Sequence, residues 1–426
     1  MFDFAGKPLK LFYFILFSAA FTIFFSSCST VKNYQPGKPF VYQYKISING
    51  KFTTVQKKQL SDQLVQQLDD SIRIEKQRKL LFWTTLKNPP KYDSVNSDKS
   101  VISMHALLNS LGYYRDTISY DTTLKVVEDQ YRTTVNFTVN PGITIKLDSV
   151  TYKLANDSLQ QITMQSLQQS LLKRGQPFAK PLISSEFDRL SDVYRNNGYL
   201  LFSKDDLLAL WDTVGLNLLR PTFDPIEQAQ LLEALRRRRL NPTADLEVVL
   251  RPITDSNRLT KYYVGNVTVF PDYNIDTAFY TPKKEKVGEY TFIYNRYLFK
   301  PKKFTSFIYL HHGDLYRQSN DIKTHIKFNS PATWRLVNIN QIPRPGQDTA
   351  DIEIRLTPDK KYSLTAIFEG SKNQGGFFNQ GNFLGLGATL RFLNRNFARA
   401  ANQATTNIRY GTELDVSTGS VFVQTN

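Results

Sequence analysis

Lys361-Tyr-Ser-Leu-Thr-Ala-Ile-Phe-Glu-Gly370, Gly387-Ala-Thr-Leu-Arg-Phe-Leu393 and Thr406-Asn-Ile-Arg-Tyr-Gly-Thr-Glu-Leu414 are three runs that alternate with period 2. In the first, Leu364, Ala366 and Phe368 share one side, with Ser363, Thr365 and Glu369 opposite. In the second, Ala388, Leu390 and Phe392 oppose Thr389 and Arg391; in the third, Ile408, Tyr410 and Leu414 oppose Asn407, Arg409 and Glu413. Apolar residues set against charged ones, with turn residues between the runs, are what strands of a transmembrane β-barrel present to lipid and to a wet lumen. A plain antiparallel sheet with one face on a core gives the same alternation. The rest of the chain has to decide between the two.

The other end points to export. Lys7 and Lys10 precede an apolar run over residues 11–25, and Ser26-Ser27-Cys28 follows. A basic start, an apolar stretch too short to span a bilayer, and small residues at a cleavage point make a signal peptide. The single cysteine sits directly after the small residues, so no internal disulfide forms. Phe25-Ser-Ser-Cys28 resembles the lipobox of bacterial lipoproteins, which implies lipidation at Cys28, although Phe25 stands where Leu is usual. Residues 28–39 are polar with turn formers and read as a tether. The net charge of +16 suits a phosphate-rich partner. An exported chain takes anionic lipid rather than nucleic acid.

Between these ends the chain repeats itself. Phe40 to Ile48 alternates as a strand; Val55, Leu60, Leu64 and Leu68 follow near helical spacing, with Thr53 or Thr54 as cap. Ser100 to Leu111 reads as a second helix stopped by Gly112, and Tyr113–Tyr120 and Tyr131–Val139 read as strands. Residues 145–154 begin a second unit with helices at 158–172 and 181–197, Gly198 past the second, a strand opening at Tyr199–Phe202 and a last strand at Ala244–Leu250. A third starts at Lys261, runs through Asp314–Phe328 and Trp334–Asn340, and closes with Asp351-Ile-Glu-Ile-Arg-Leu356. The fold class is therefore α+β: tandem β-α-α-β-β units, then the first antiparallel strands of a barrel.

Serial units of this kind, with a second helix ending Tyr194-Arg-Asn-Asn-Gly-Tyr199, resemble POTRA domains. Asp351–Pro358 is similar to the last strand of the final such domain, and Leu386 to Arg399 resembles early barrel strands of the BamA/TamA family of outer-membrane assembly factors. With a lipobox in front, the nearest pattern is the TamA-like lipoprotein variant. The resemblance implies a signal peptide at 1–27, a tether at 28–39, POTRA-like domains at 40–142, 143–253 and 260–358, and an incomplete barrel at 360–426. The family's barrel is closed, whereas these few strands leave an open sheet, which cannot sit in lipid with its edges unpaired; a fragment of a longer chain is the expectation.

The resemblance also implies the sites. Extended clients would pair with an exposed strand mapped onto Ile322, Lys323, Thr324, His325, Ile326, Lys327 and Phe328. The first barrel strand, Ser363, Leu364, Thr365, Ala366, Ile367, Phe368 and Glu369, would form one side of a lateral seam. Arg236, Arg237, Arg238 and Arg239 end a helical run and give a basic patch for anionic head groups, or simply a solvated face that complements the helix dipole. Enzyme chemistry is thin: no phosphate loop, no nucleophile elbow, and no carboxylate at ligand spacing beside His311-His312 or His325. No catalytic residue, metal or cofactor is expected. The implied partners are unfolded outer-membrane or surface proteins, outer-membrane lipid and, as an open candidate, a protein anchored in the inner membrane. The implied place is a Gram-negative outer membrane, with the units in the periplasm. A lipid-anchored periplasmic scaffold with a soluble terminal sheet is the alternative.

Overall fold

A computed structural model describes residues 29–74, 77–80, 83–213, 224–252, 255–274, 282–374, 382–415 and 420–425. The chain divides into two compact units: Met1–Lys153 with Gln168–Glu186 and Ala209–Val249, and Leu154–Leu167 with Phe187–Leu208 and Leu250–Asn426. Cys28 lies outside the described residues. No helix among the described residues is long and apolar enough to cross a membrane, which leaves strands untouched.

The first unit opens with β1 (Ser29–Lys32), β2 (Pro39–Ile48), α1 (Thr54–Val65), β3 (Gln77–Leu80), β4 (Trp83–Lys87), α2 (Ser94–Ser110), β5 (Thr117–Val127) and β6 (Gln130–Asn140). Thr53 caps α1 through a capping box: its hydroxyl accepts from the Gln56 N–H at 3.3 Å and its own N–H donates to Gln56 Oε1 at 3.1 Å. Leu60 and Leu64 of α1 and Met104 and Leu108 of α2 are buried against Val135, Phe137 and Val139 of β6 and Val41 and Ile48 of β2. Val55 stays exposed, because five residues carry it about 140° round the helix from Leu60. The three-stranded sheet has the order β2-β6-β5.

Two expectations change here. Part of the tether is a strand: β1 pairs in parallel with β4, and Val31 is buried with Phe40 and Leu86. The strand expected from Tyr113 begins only at Thr117, because Gly112 turns at φ +92° and the chain needs four more residues to reach the sheet.

The element order continues with β7 (Lys146–Lys153), α3 (Asp157–Gln165), α4 (Lys180–Arg195), β8 (Leu207–Asp212), α5 (Pro225–Leu240) and β9 (Thr243–Leu250), giving a sheet ordered β7-β9-β8. Tyr199–Phe202 is not a strand; Tyr199, Leu200 and Phe202 are buried in the turn after α4. Next come β10 (Tyr263–Phe270), β11 (Lys283–Val287), β12 (Tyr290–Tyr294), α6 (Gln318–Asn329), β13 (Trp334–Pro343) and β14 (Thr349–Pro358), in a five-stranded sheet ordered β11-β12-β10-β14-β13. The β11–β12 hairpin and two 3₁₀ turns, Pro301–Lys303 and Thr305–Phe307, stand where the earlier units have a first helix. Aromatic packing holds this variant together. The Phe304 ring lies 5.7 Å from Phe299, 5.4 Å from Trp334 and 6.3 Å from Phe328, near the distances that favour aromatic pairs.

The repeat is sharpest in the backbone. Val41 N–H donates to the Pro90 carbonyl and Tyr92 N–H to that of Pro39. Leu147 and Gln176 with Phe178 and Ile145 make the same exchange, as do Val264 and Asp314 with Tyr316 and Tyr262. An isolated bridge sits inside each: Phe40 with Lys91, Lys146 with Pro177, Tyr263 with Leu315. In every repeat the first strand is thus pinned to the segment that leads into the second helix. The end of that helix then receives the next repeat: Ile145 N–H donates to Gly112 O at 3.0 Å, and Tyr262 N–H to Gly198 O at 2.8 Å. Both glycines need φ near +95° (+92° and +98°), which side chains rarely adopt.

After α6 the positive-φ position is Ala332, and what docks there is the final sheet. That sheet is β15 (Tyr362–Gln374), β16 (Asn382–Phe397), β17 (Asn402–Asp415) and β18 (Ser420–Thr425), antiparallel and in sequence order. Its β16–β17 turn is clamped: the Thr333 hydroxyl donates to Arg395 O at 2.7 Å, Asn396 Nδ2 to Leu298 O at 2.8 Å, and Lys300 N–H to Arg399 O at 2.9 Å. Ala401 is buried in the five-stranded sheet's core.

A Cβ at Gly112 would meet the Phe178 carbonyl oxygen at 2.6 Å, and one at Gly198 would meet Leu315 Cδ1 at 2.6 Å, whereas nothing lies within 4 Å at Gly175. Gly198→Ala is expected to cost on the order of 1–2 kcal/mol from backbone strain alone, and Gly112→Ala more, because the obstacle is backbone. Gly175→Ala, at a similar φ in open space, should cost the strain without the clash. Urea midpoints of the three variants measure the ranking, and equal shifts would refute it.

Candidate functional site

The sheet of each repeat has a marginal strand that pairs on one side only among the described residues. In order of appearance these are β5, β8 and β13, in each case the strand one before the repeat's last. The edge of β13 can be read group by group. Arg344 N–H donates to Thr349 O at 2.9 Å, and Ile342–Asp351, Asn340–Glu353 and Asn338–Arg355 follow in register. Bonded and non-bonded pairs alternate along an antiparallel ladder. The peptide groups of Asn338, Asn340 and Ile342 therefore face β14, and those of Val337, Ile339 and Gln341 face outward. Pro343, next in the outward set, has no N–H to offer. The Arg344 guanidinium closes the hairpin on Asp351 with two hydrogen bonds, 2.9 and 2.7 Å, and it holds that carboxyl below the usual carboxylate range.

Ile322 to Phe328, expected to be this edge strand, is instead the body of α6. The stretch carries both periods: Ile322, Thr324, Ile326 and Phe328 alternate with Lys323, His325 and Lys327, while Thr324 and Phe328 are also one helical turn apart. Tertiary packing selects the second. Thr324 and Phe328 are fully buried, and the Thr324 hydroxyl donates to Asn320 O at 2.8 Å while accepting from Tyr309 N–H at 3.0 Å. Ile322 and Ile326 are left exposed.

The helix nevertheless belongs to the edge. His325 Nε2–H donates to the Val337 carbonyl at 3.2 Å, and Asn329 Nδ2 donates to His325 Nδ1 at 3.1 Å, which fixes the tautomer. Gln341 Nε2 donates to Asp321 Oδ2 at 2.8 Å. One turn of α6 thus ties down both ends of the outward stretch, and Ile322 and Ile326 lie on the flank next to the Asp321–His325 stripe. Burial pushes the Asp321 carboxyl up to about 6, against the pull of His325 and Arg195. The sequence shows no sign of this cluster beyond the alternation of β13 and the proline that ends it.

The final sheet has the two faces read from its sequence, and the register sets them side by side. Leu364 pairs across to Phe392, Ala366 to Leu390 and Phe368 to Ala388; Leu390 continues to Ile408 and Ala388 to Tyr410. The opposite face carries Thr365, Arg391 and Asn407, with Arg391 Nε donating to Asn407 at 3.2 Å, and an Arg409–Glu369 ion pair at 3.4 Å. The apolar face is bare: Phe368 is 83% exposed and Leu364 73%, with Leu386, Leu390, Phe392, Ile408 and Tyr410 also exposed. A contiguous apolar face of this kind marks a surface made for contact. Ser363–Glu369, expected at a seam, lie on β15, which is bonded on one side to β16 and is a margin of the sheet among the described residues.

The basic run is split by the fold. Arg238 is largely enclosed and pairs with Asp245 at 3.4 Å, Arg237 pairs with Glu233 within α5 at 3.1 Å, and Arg236 and Arg239 are exposed. The histidines also depart from expectation. His311 and His312 lie outside any strand, and the fold brings them a carboxylate that spacing does not: Glu289 meets His311 Nδ1 at 2.7 Å and accepts from the His312 N–H at 3.0 Å. No group of metal-ligating side chains occurs among the described residues.

No family model matches the chain, and no curated protein matches it. Among solved structures it is similar to the crystal structure of POTRA3-5 of BamA from Haemophilus influenzae, with TM-score 0.36 and 13% identity, covering 76% of this chain and 99% of that one. It is similar to BamA from Haemophilus ducreyi lacking POTRA domains 1-3, with TM-score 0.32 and 12% identity over 63% of this chain and 43% of that one. It is also similar to POTRA1-3 of the periplasmic domain of Omp85 from Anabaena, with TM-score 0.21 and 11% identity over 76% and 98%.

Asp321 makes the edge pH-sensitive. Its folded value of about 6 lies above the ordinary 3.8, so the native state holds the proton more tightly. Its contribution therefore favours folding below about 4 and is lost as pH rises through 6. Thermal midpoints should rise from pH 7.5 to pH 5, and Asp321→Asn should flatten that slope; an unchanged slope would remove Asp321 as its source.

Proposed function

We propose that this chain assembles or translocates outer-membrane proteins, receiving unfolded, strand-forming clients on its sheet edges and passing them toward the final sheet. The observation that carries the reading is the outward row of peptide groups at Ile339 and Gln341, with the Val337 N–H beside them; the Val337 carbonyl itself is held by His325. An extended client adds there as a further strand, and backbone bonds give affinity with little demand on its sequence. Ile322 and Ile326 beside the edge offer apolar contact to alternate client side chains. The bare face of Leu364, Phe368, Leu386, Leu390, Phe392, Ile408 and Tyr410 supports placing the final sheet in lipid. Each such side chain gains roughly 1.5–3 kcal/mol on leaving water. In this reading Ser363–Glu369 form one side of the seam that clients reach, Cys28 carries the lipid anchor, and the repeats stand in the periplasm of a Gram-negative cell. No covalent step is needed.

The test uses proline on the edge. Ile339→Pro removes an outward N–H that takes no part in the ladder, so the sheet should tolerate it. Asn340→Pro removes an inward one and should destabilise the fold. Binding of a urea-unfolded outer-membrane β-barrel protein, read by fluorescence anisotropy, should weaken about tenfold in Ile339→Pro, or ~1.4 kcal/mol, with the thermal midpoint nearly unchanged. A folded Ile339→Pro chain that binds as tightly as the original would exclude this edge as the client site.

A further inference from the structure

We propose that a lysine-rich collar on the β11–β12 hairpin and the following 3₁₀ turn binds the phosphates of anionic lipid head groups. It rests on the reading that the final sheet enters a bilayer. Lys283, Lys284 and Lys286 are exposed along β11. The 3₁₀ turn that packs against this strand carries Lys302 and Lys303, also exposed. The turn is held from below: Pro301 and Phe304 are buried, and the Phe304 ring packs on Phe299 and Trp334.

Three further observations give this cluster a direction. Lys300 N–H donates to Arg399 O in the β16–β17 turn, so the collar adjoins the end of the final sheet where β15 begins and β16 ends. Arg399 is exposed with its guanidinium 5.6 Å from the Tyr297 ring centre, which adds a cation at the junction. At the same margin Tyr362 stacks on Phe392 at 5.7 Å with Lys361 over its ring, the pairing of aromatic and cationic side chains that suits a membrane interface.

The nearby acids are fewer than the cations, and none pairs with them. Glu285 accepts from the Tyr294 hydroxyl at 2.8 Å, Asp272 is buried and accepts from the Asn295 and Arg296 N–H groups, and Asp359 meets Arg395 at 3.4 Å. Among the described residues Lys283, Lys284, Lys286, Lys302, Lys303 and Arg399 have no ion pair. Cations that a fold brings together in excess over the acids beside them, next to a bare apolar face, match a surface that is anionic outside and apolar within. In Arg236–Arg239, by contrast, two of the four cations already have carboxylate partners, Arg237 with Glu233 and Arg238 with Asp245.

Flotation of the full chain with vesicles tests this. Phosphatidylcholine vesicles are compared with vesicles of phosphatidylcholine and phosphatidylglycerol, at about 0.1 M salt, where charges a Debye length apart still interact. The variant Lys283→Gln, Lys284→Gln, Lys286→Gln, Lys302→Gln, Lys303→Gln is set beside Arg236→Gln, Arg237→Gln, Arg239→Gln. The original chain should favour the anionic vesicles. The lysine variant should lose that preference, with at least tenfold weaker partition, and the arginine variant should keep it. A chain that floats equally on both, or a lysine variant that keeps the preference, overturns the collar and leaves the bilayer reading standing. A chain that floats on neither overturns both.

Discussion

Everything in this chain hangs on a backbone joint. The first strand of each of the three repeats exchanges hydrogen bonds with the segment that leads into its second helix, and after the first two of those helices a glycine carbonyl takes the N–H that opens the next unit. These are main-chain bonds, so they survive wide drift in side chains. What they require is a residue at positive φ where helix turns to joint, and Gly112, Gly198 and Ala332 supply it. Each joint is a local feature of the chain, made by residues on either side of a helix end. After α6 the incoming partner is the β16–β17 turn, and there the Thr333 hydroxyl and the Asn396 amide make the seat, with side chains in place of the backbone carbonyl.

A joint of this kind leaves the open edges free. Each repeat ends with its last strand in the middle of the sheet and the preceding strand at the margin, so one row of its peptide groups pairs with no strand among the described residues. Soluble proteins usually cover or blunt such a row. On β13 the protein does so only at its ends, through His325, Asp321 and Pro343, and the stretch between stays available. The proposed function follows from that incomplete protection. An edge closed along its full length would make a stable domain with nothing to offer a client.

The final sheet meets the opposite constraint. Its first three strands are long, their register runs unbroken from Phe383 to Asn394 on β16, and its apolar face has no cover among the described residues. Water disfavours such a face and lipid accepts it, provided the strand edges also find partners. The lysines grouped beside its near end fit the same environment from the head-group side, which links two features that share no residue and no local sequence pattern.

Local pattern alone determined the class of the fold. The period-2 runs at 361–370, 387–393 and 406–414 became strands, with the expected faces over 363–369, 388–392 and 407–410, the Thr53 cap and the glycines after the second helices stood where they were read, and the last strand of each repeat was found to within a few residues. These properties depend on neighbours in sequence, through side-chain alternation and backbone preference. Only the tertiary structure decided the site. Ile322–Phe328 satisfies both a strand and a helix period, and burial of Thr324 and Phe328 chose the helix. Strand order put β13 at the margin, pairing parity turned Val337, Ile339 and Gln341 outward, and packing of a 3₁₀ turn on β11 gathered lysines some twenty residues apart. Which peptide groups remain unpaired, and which charges meet, are consequences of long-range pairing, and no stretch of sequence carries them by itself.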